Sequence, residues 1–574
     1  MRFFKLIIFL FSLSIVAQNK FVTPFEKGNG NQSTTYEECI LFYETLDEAY
    51  STIKMVQKGT TDSGKPLYLV VYSNDGQFDY DDKNLNKKAV ILINNGIHPG
   101  EPDGIDASML LMRDLAMGKI KTAKNTFIAV IPVYNVGGML NRNSHSRANQ
   151  NGPEEYGFRG NGRNYDLNRD FIKSDTKNSR SFQQLFTELK PDLFLDNHVS
   201  NGADYQYTFT CIATQHERLG NKLGNFFIND LYPTIVKDMQ QKKIDVVPYV
   251  NVHSTTPDNG FEQFTDTPRY ATGYTTLFHT LGFVPETHML KAYSERVKVT
   301  YEFMISSIKY ADTNVKKIKQ MRLDAMKDFQ PGMNYPLDWT IDSTKVSYID
   351  FKRFKGDYKA SEISGKDRLY YDRSKPFTKK ISFYGDYKPS KSITIPSAYI
   401  IPHSQWQVLD LLQLNGINYA QLQKDTIIEV ESYKIESYKT SNSAYEGHYS
   451  HYNTKISKSI QKVKFYSGDY VFSTNQTSVK YLIETLEPEA VDSYFNWNFF
   501  DTILQRKEGY SAYVFEDLAK EFLNENPEVK KEFEKKKLED KAFAENAYEQ
   551  LDWVYRQSPY YEKAYLQYPV YRIK

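Results

Sequence analysis

A chain of 574 residues is too long for one ordinary hydrophobic core, so two or three domains are expected. The 40% hydrophobic and 25% charged residues are those of a soluble globular protein. The formal net charge of +1 gives no nucleic-acid footprint and no steering toward acidic partners.

Met1–Ala17, MRFFKLIIFLFSLSIVA, places Arg2 and Lys5 ahead of Leu6–Val16. That apolar run is too short to cross a bilayer as a standard helix. With the small Ala17 before Gln18 it reads as a secretory signal peptide. The mature chain is expected to be secreted or periplasmic, with no stable membrane span. Cys39 and Cys211 are the only cysteines. They could form one disulfide or remain two buried thiols, but they make no disulfide scaffold.

Thr35 caps a helical pattern running to Ile53. Strands follow at Leu67–Tyr72 and Val90–Ile93, then a helix over Asp103–Met117 stopped by Gly118, then a strand at Phe127–Val133. Leu140–Arg169 is poor in apolar residues and carries Arg142, Arg147, Arg159, Arg163 and Arg169. A loop this long inside a compact domain is uncommon unless it is functional. Beyond it Ser179–Leu189 is helical, Pro191–Asp196 is a strand and Tyr205–Thr210 is extended. Leu219–Gln240 and Gly273–Leu281 read as helical, and Ser294–Lys327 as closing helices. The alternation predicts an α/β fold with a mixed, largely parallel sheet flanked by helices.

Composition shifts near Asp328, where Pro331, Gly332 and Pro336 follow. Strand-like stretches run on to Phe472, interrupted by a helix at Gln405–Leu414, and helices dominate from Val479. The expected division is 1–17 signal peptide, 18–327 α/β domain, 328–475 β-rich accessory region and 476–574 helical region. The bland reading of the tail is a module that packs on the α/β domain or narrows its cleft.

The chemistry centres on Val90–Gly104, VILINNGIHPGEPDG. His98 and Glu101 sit three residues apart where a buried strand hands over to a helix, an edge at which open α/β sheets bind ligands. Imidazole plus carboxylate is zinc-ligand vocabulary, and a catalytic zinc needs a third protein ligand and one open position. His198 follows directly on the apolar strand Leu193–Leu195 and can share that edge with His98.

The ordered motifs HPGEPDG, RNYDLNRDF (Arg163–Phe171), LDNH (Leu195–His198) and GFVPETHML (Gly282–Leu290) resemble the zinc metallocarboxypeptidases of the carboxypeptidase A type over about Thr35 to Tyr310. The resemblance implies one Zn2+ per chain held by His98, Glu101 and His198, and a catalytic Glu286. Glu286 ends a hydrophobic segment, where a partly dry carboxylate suits proton transfer; Glu295 is its rival. Asn168 and Arg169 match the pair that grips a substrate's terminal carboxylate, for which the guanidinium fork is suited. Asp166 matches the carboxylate that orients the first zinc imidazole. Arg147 is the candidate for stabilising the oxyanion, with Arg142 and Arg159 competing. Tyr270 is the candidate covering tyrosine, with Tyr274 the alternative.

The chain departs from the digestive members in its Asn135–Asn168 link, in its tail beyond Asp328 and in having no obvious pro-segment. The implied activity is a peptide hydrolase removing the C-terminal residue. The alternatives are a zinc amidase acting on cell-wall peptides or N-acyl amino acids, and a zinc-containing binding protein whose catalysis has lapsed.

Overall fold

Uninterrupted apolar runs form the middle of a nine-stranded sheet. The computed structural model describes residues 21–121 and 123–574, so the expected signal peptide lies outside the described residues. In chain order the strands are β1 (Ile53–Thr60), β2 (Pro66–Ser73), β3 (Ala89–Asn94), β4 (Thr126–Ile131), β5 (Leu193–Asp196), β6 (His198–Ser200), β7 (Phe209–Ala213) and β8 (Val246–Pro248). A two-residue β9 (Phe261–Glu262) belongs to another sheet, and β10 (Leu281–His288) completes the nine. Across the sheet the order is β1-β2-β4-β3-β5-β10-β7-β8, with β6 on β10. β4–β3, β3–β5, β5–β10, β6–β10 and β7–β8 are parallel; β1–β2, β2–β4 and β10–β7 are antiparallel. The sheet is therefore mixed and largely parallel, as the strand–helix alternation predicts.

β3 is buried on both faces, which is why it reads as a continuous apolar run. Ile91 and Ile93 pack with the helices Tyr36–Ala49, Asp103–Ala116 and Tyr293–Thr313. Val90 and Leu92 face the helix Lys177–Leu189. The connection after β3 leads to β4 on one side, and β5 lies on the other. The carboxyl end of β3 is thus a switch point, the place where such sheets open a crevice.

Several boundaries differ from the sequence reading. The first helix ends at Ala49, and Ile53 instead opens β1. β1 is an edge strand with polar residues facing outward, so it lacks the apolar run that marks a strand. The stretch expected at Tyr205–Thr210 pairs three to four residues later, because Phe209–Ala213 is what β10 meets in register. The short helix ends at Thr276, and Leu281 instead opens β10, pairing with Leu193 of β5. Cys39 and Cys211 are both buried free thiols.

Beyond Asp328 lie β11 (Asn334–Ile341), β12 (Ser347–Ala360), β13 (Asp367–Tyr384), β14 (Tyr387–Thr394), β15 (Ala398–Ile401), β16 (Ala420–Gln421), β17 (Thr426–Thr440), β18 (His451–Phe465), β19 (Tyr470–Ser473) and β20 (Tyr571–Ile573). β12 and β13 form a long hairpin that takes in β9. β20, from the chain's end, sits between β15 and β17 in a six-stranded sheet. Four helices of eight or more residues lie between β19 and β20. This extra region is not loosely tethered: Tyr399, Leu412, Tyr481, Trp497 and Tyr568 share one apolar cluster with Leu92, Phe182 and Phe194.

Candidate metal centre and peptide site

The chain leaves β3 through Asn94, Asn95 and Gly96, and Gly96 turns at a φ of 63°, in the left-handed region that glycine tolerates. His98 and Glu101 follow, and the next helix starts at Asp103. That helix lies so close to the end of β5 that a Cβ at Gly104 would stand 2.4 Å from Asn197 Cβ. The close approach brings His98 and Glu101 beside His198.

The three side chains are buried and each offers a ligand atom within 4.8 Å of the others. Glu101 Oε1 lies 3.4 Å from His98 Nδ1, and Glu101 Oε2 lies 3.0 Å from His198 Nδ1. The far nitrogen of each ring is held from behind. Asp166 Oδ1 stands 2.8 Å from His98 Nε2, and Asp196 Oδ2 stands 3.0 Å from His198 Nε2. Both imidazoles are therefore oriented with Nδ1 toward the shared carboxylate. Burial acts to raise Glu101, but the Arg147 and His98 charges hold it well below the usual carboxylate range. Burial opposes the charged form of His198, yet Asp196 and Glu101 raise it well above an ordinary histidine. Asp166 is likewise held low against its burial, chiefly by His98 and then Arg159.

Glu286 lies on β10 directly opposite His198 in the parallel pair β6–β10. It is only 9% exposed, and its Oε2 has no hydrogen-bond partner. Burial pushes its carboxyl up to about 8, with His198 opposing and Glu101 adding to the rise. The rival Glu295 is on the surface, in the first turn of the next helix.

Arg147 Nη1 donates to Glu101 Oε1 at 2.7 Å, and Arg159 approaches the same oxygen at 3.6 Å. Arg142 is engaged elsewhere, donating to the carbonyls of Ser33, Thr34 and Glu155. Asn168 and Arg169 occupy a one-turn 3-10 helix just after Asp166. The Asn168 Oδ1 accepts from the Ala271 N–H at 3.3 Å, and the Arg169 guanidinium lies over the Tyr270 ring at 4.4 Å. Tyr274 is buried in the core with its hydroxyl on Asn415 Oδ1 at 2.7 Å. Of these two, Tyr270 is thus the one adjacent to the Arg169 corner.

A family model described as zinc carboxypeptidase matches residues 40–351, more than half of the chain. The chain belongs to the zinc carboxypeptidase family. As a zinc metallocarboxypeptidase it acts on peptide substrates. It is similar to carboxypeptidase 2 of Trichophyton rubrum, at 22% identity over 430 residues, 71% of this chain and 73% of that protein. It is also similar to carboxypeptidase 2 of Trichophyton equinum, at 23% over 434 residues, 72% and 74% of the two chains. Among solved structures it resembles the metallo-carboxypeptidase of Burkholderia cenocepacia, at 15% identity and a TM-score of 0.36, over 49% of this chain and 70% of that one. Carboxypeptidase A of Helicoverpa armigera is similar at 13% identity and a TM-score of 0.36, over 50% and 75%.

The residues present fit the family's metal. Two imidazole nitrogens and one carboxylate are a zinc donor set with room for a fourth position. His98 Nδ1 is buried and has no hydrogen-bond partner, and with Nε2 turned to Asp166 it is the nitrogen whose lone pair can serve a metal. Among the described residues no helix is long and apolar enough to cross a membrane.

The sequence reading missed some of the supporting groups. Asp196 could have been found: D-x-H along extended chain puts both side chains on one face. Tyr445 and Glu446, which reach the Asp166–Arg169 segment from the far end of the chain, carry no local signal at all.

Proposed function

We propose that this enzyme is a secreted metallocarboxypeptidase that hydrolyses the C-terminal peptide bond, with residues 18–327 as its catalytic domain. His98, Glu101 and His198 hold the zinc. When bound, zinc supplies Lewis acidity that polarises a substrate carbonyl and makes water a stronger acid. Glu286 is the general base. Its carboxylate takes a proton from the attacking water at Oε2 and returns it to the departing amine. Arg147 places its positive charge where oxyanion charge develops. Asn168 and Arg169 hold the terminal carboxylate, and Tyr270 backs the guanidinium. Asp166 and Asp196 keep the two imidazoles in the tautomer that presents Nδ1. Export is supported by the basic-then-apolar start Met1–Ala17.

The observation that carries this reading is the buried carboxylate of Glu286, unpartnered at Oε2 and directly across from His198. Substituting Glu286→Gln keeps its shape and removes its basicity. Bound zinc should stay at one per chain while turnover falls by about 10²–10⁴-fold. Stopped assays of amino-acid release from peptides, with metal analysis of the same sample, check this. A near-normal rate would overturn Glu286 as the base.

A further inference from the structure

The corner that holds Arg169 is built by two distant parts of the chain. The loop joining β17 to β18 folds back onto the Asp166–Arg169 segment. It turns at Tyr445–His448, whose backbones exchange hydrogen bonds of 2.8 and 3.0 Å. The two central residues, Glu446 and Gly447, have φ of 48° and 79°. Glycine adopts that conformation freely; a glutamate there is strained, and such strain persists where the surroundings over-determine it.

The surroundings do so here. The Glu446 carboxylate accepts the Asp166 N–H at 2.8 Å. A Cβ at Gly447 would stand 2.6 Å from the Tyr165 hydroxyl, so the loop sits directly on the DLNR segment. His448 Nε2 meets Asp175 Oδ2 at 2.8 Å. The Tyr445 ring is stacked toward Trp497, with centroids 6.3 Å apart and planes 20° apart. The Tyr445 phenol lies beside the Arg169 guanidinium and favours its charged form, while Arg169 Nη1 donates to the Asn168 carbonyl at 2.7 Å.

The two arginines at this corner differ. Arg269 is closed by Asp492, Nε to Oδ1 at 2.7 Å. Arg169 has Asp166 as its nearest carboxylate among the described residues, 3.9 Å away, and that carboxylate is already engaged by His98 and Arg159. Arg169 is thus a mostly buried cation steadied by phenols and left without a close anion.

We propose that Tyr445 is a positioning residue for substrate selection: the accessory region, through its β17–β18 loop, aims Arg169 at the terminal carboxylate. Glu446 clamps the loop to the Asp166 backbone so that the aim is kept. The inference rests on Arg169 being the carboxylate grip, as set out under the proposed function.

The test uses the full-length zinc-loaded enzyme and the best-cleaved member of an N-acyl dipeptide panel, as free acid and as C-terminal amide. kcat and KM are measured separately for the parent, R169A, Y445F and Y445A. Y445F should raise KM for the free acid about threefold and Y445A about tenfold, with kcat within about twofold and the amide unaffected. R169A should raise it further. If both Tyr445 variants leave KM within twofold while R169A raises it, the inference is overturned and the carboxylate grip stands. If R169A leaves KM unchanged, the grip itself is overturned, and the inference with it. A lower melting temperature in Y445F with unchanged KM assigns the loop a packing role only and also overturns the inference.

Discussion

The two ends of the β3–β5 pair are equally buried and carry opposite kinds of polar site. At the amino end Asp192 is fully used. Its Oδ2 accepts from the Val90 N–H at 2.9 Å and from Lys319 Nζ at 2.8 Å, and its Oδ1 accepts from Arg322. At the carboxyl end the polar atoms are just as dry, yet His98 Nδ1, Glu286 Oε2, Asn94 Oδ1 and Asn197 Oδ1 have no partner. Buried polar groups are normally paired, because an unpaired one costs about 1–3 kcal/mol. The first end holds the fold together; the second is arranged for something that comes from outside. Burial is the same at both ends; what differs between Asp192 and the groups around His98 and Glu286 is the state of satisfaction.

The sharpest way to break this contrast is to remove a proposed ligand. His98→Ala or His198→Ala should empty the metal site and lower turnover by at least about 10²-fold. Metal analysis with a peptide hydrolysis assay reads both, and undiminished zinc in either variant would sink the ligand assignment. The next largest effect lies at the opposite end. Asp192→Ala leaves Lys319, Arg322 and the Val90 N–H facing an empty space, and should cost about 3–5 kcal/mol in denaturant unfolding. Zinc content of the folded fraction should not change. Burial would raise Asp192, but Arg322 and Lys319 hold it low, so its stabilising contribution is present above the unfolded carboxyl pKa. That contribution is lost as pH falls through the lower native value.

The smallest effect has the opposite sign. Asp106 sits on the helix between the two ends, and burial pushes its carboxyl from 3.8 to about 7, against the hydrogen bond from Tyr293. The native state then binds the extra proton between pH of about 4 and about 7, so stability falls as pH rises through that window. Asp106→Asn should flatten that part of the stability–pH curve measured in the presence of a chelator. An unchanged slope would mean that Asp106 is ionised in the native protein.

Much of the catalytic fold was legible because β3 and β5 are buried on both faces and so appear as unbroken apolar runs ending in histidine-bearing turns. The edge strand β1 was not, since its polar residues hide the pattern. Nor was β20, a three-residue strand that has meaning only between β15 and β17. Within the loop Leu140–Arg169 the sequence left Arg142 and Arg159 competing with Arg147 for the oxyanion role. Their partners separate them: Arg142 is tied to backbone carbonyls, whereas Arg147 reaches Glu101.

Local chemistry determined the sheet class, the strand ends that carry His98, Glu101 and His198, and the family motifs, because strand periodicity and turn residues act over a few positions. Tertiary structure alone decided that Glu286 faces His198 across β6–β10, and that Tyr445 and Glu446 adjoin the Asp166–Arg169 segment. The Glu286 and Tyr445–Glu446 contacts join residues whose separation along the chain exceeds any local pattern, so only tertiary packing brings them together, whereas the Asp196–His198 pair lies within reach of a local pattern.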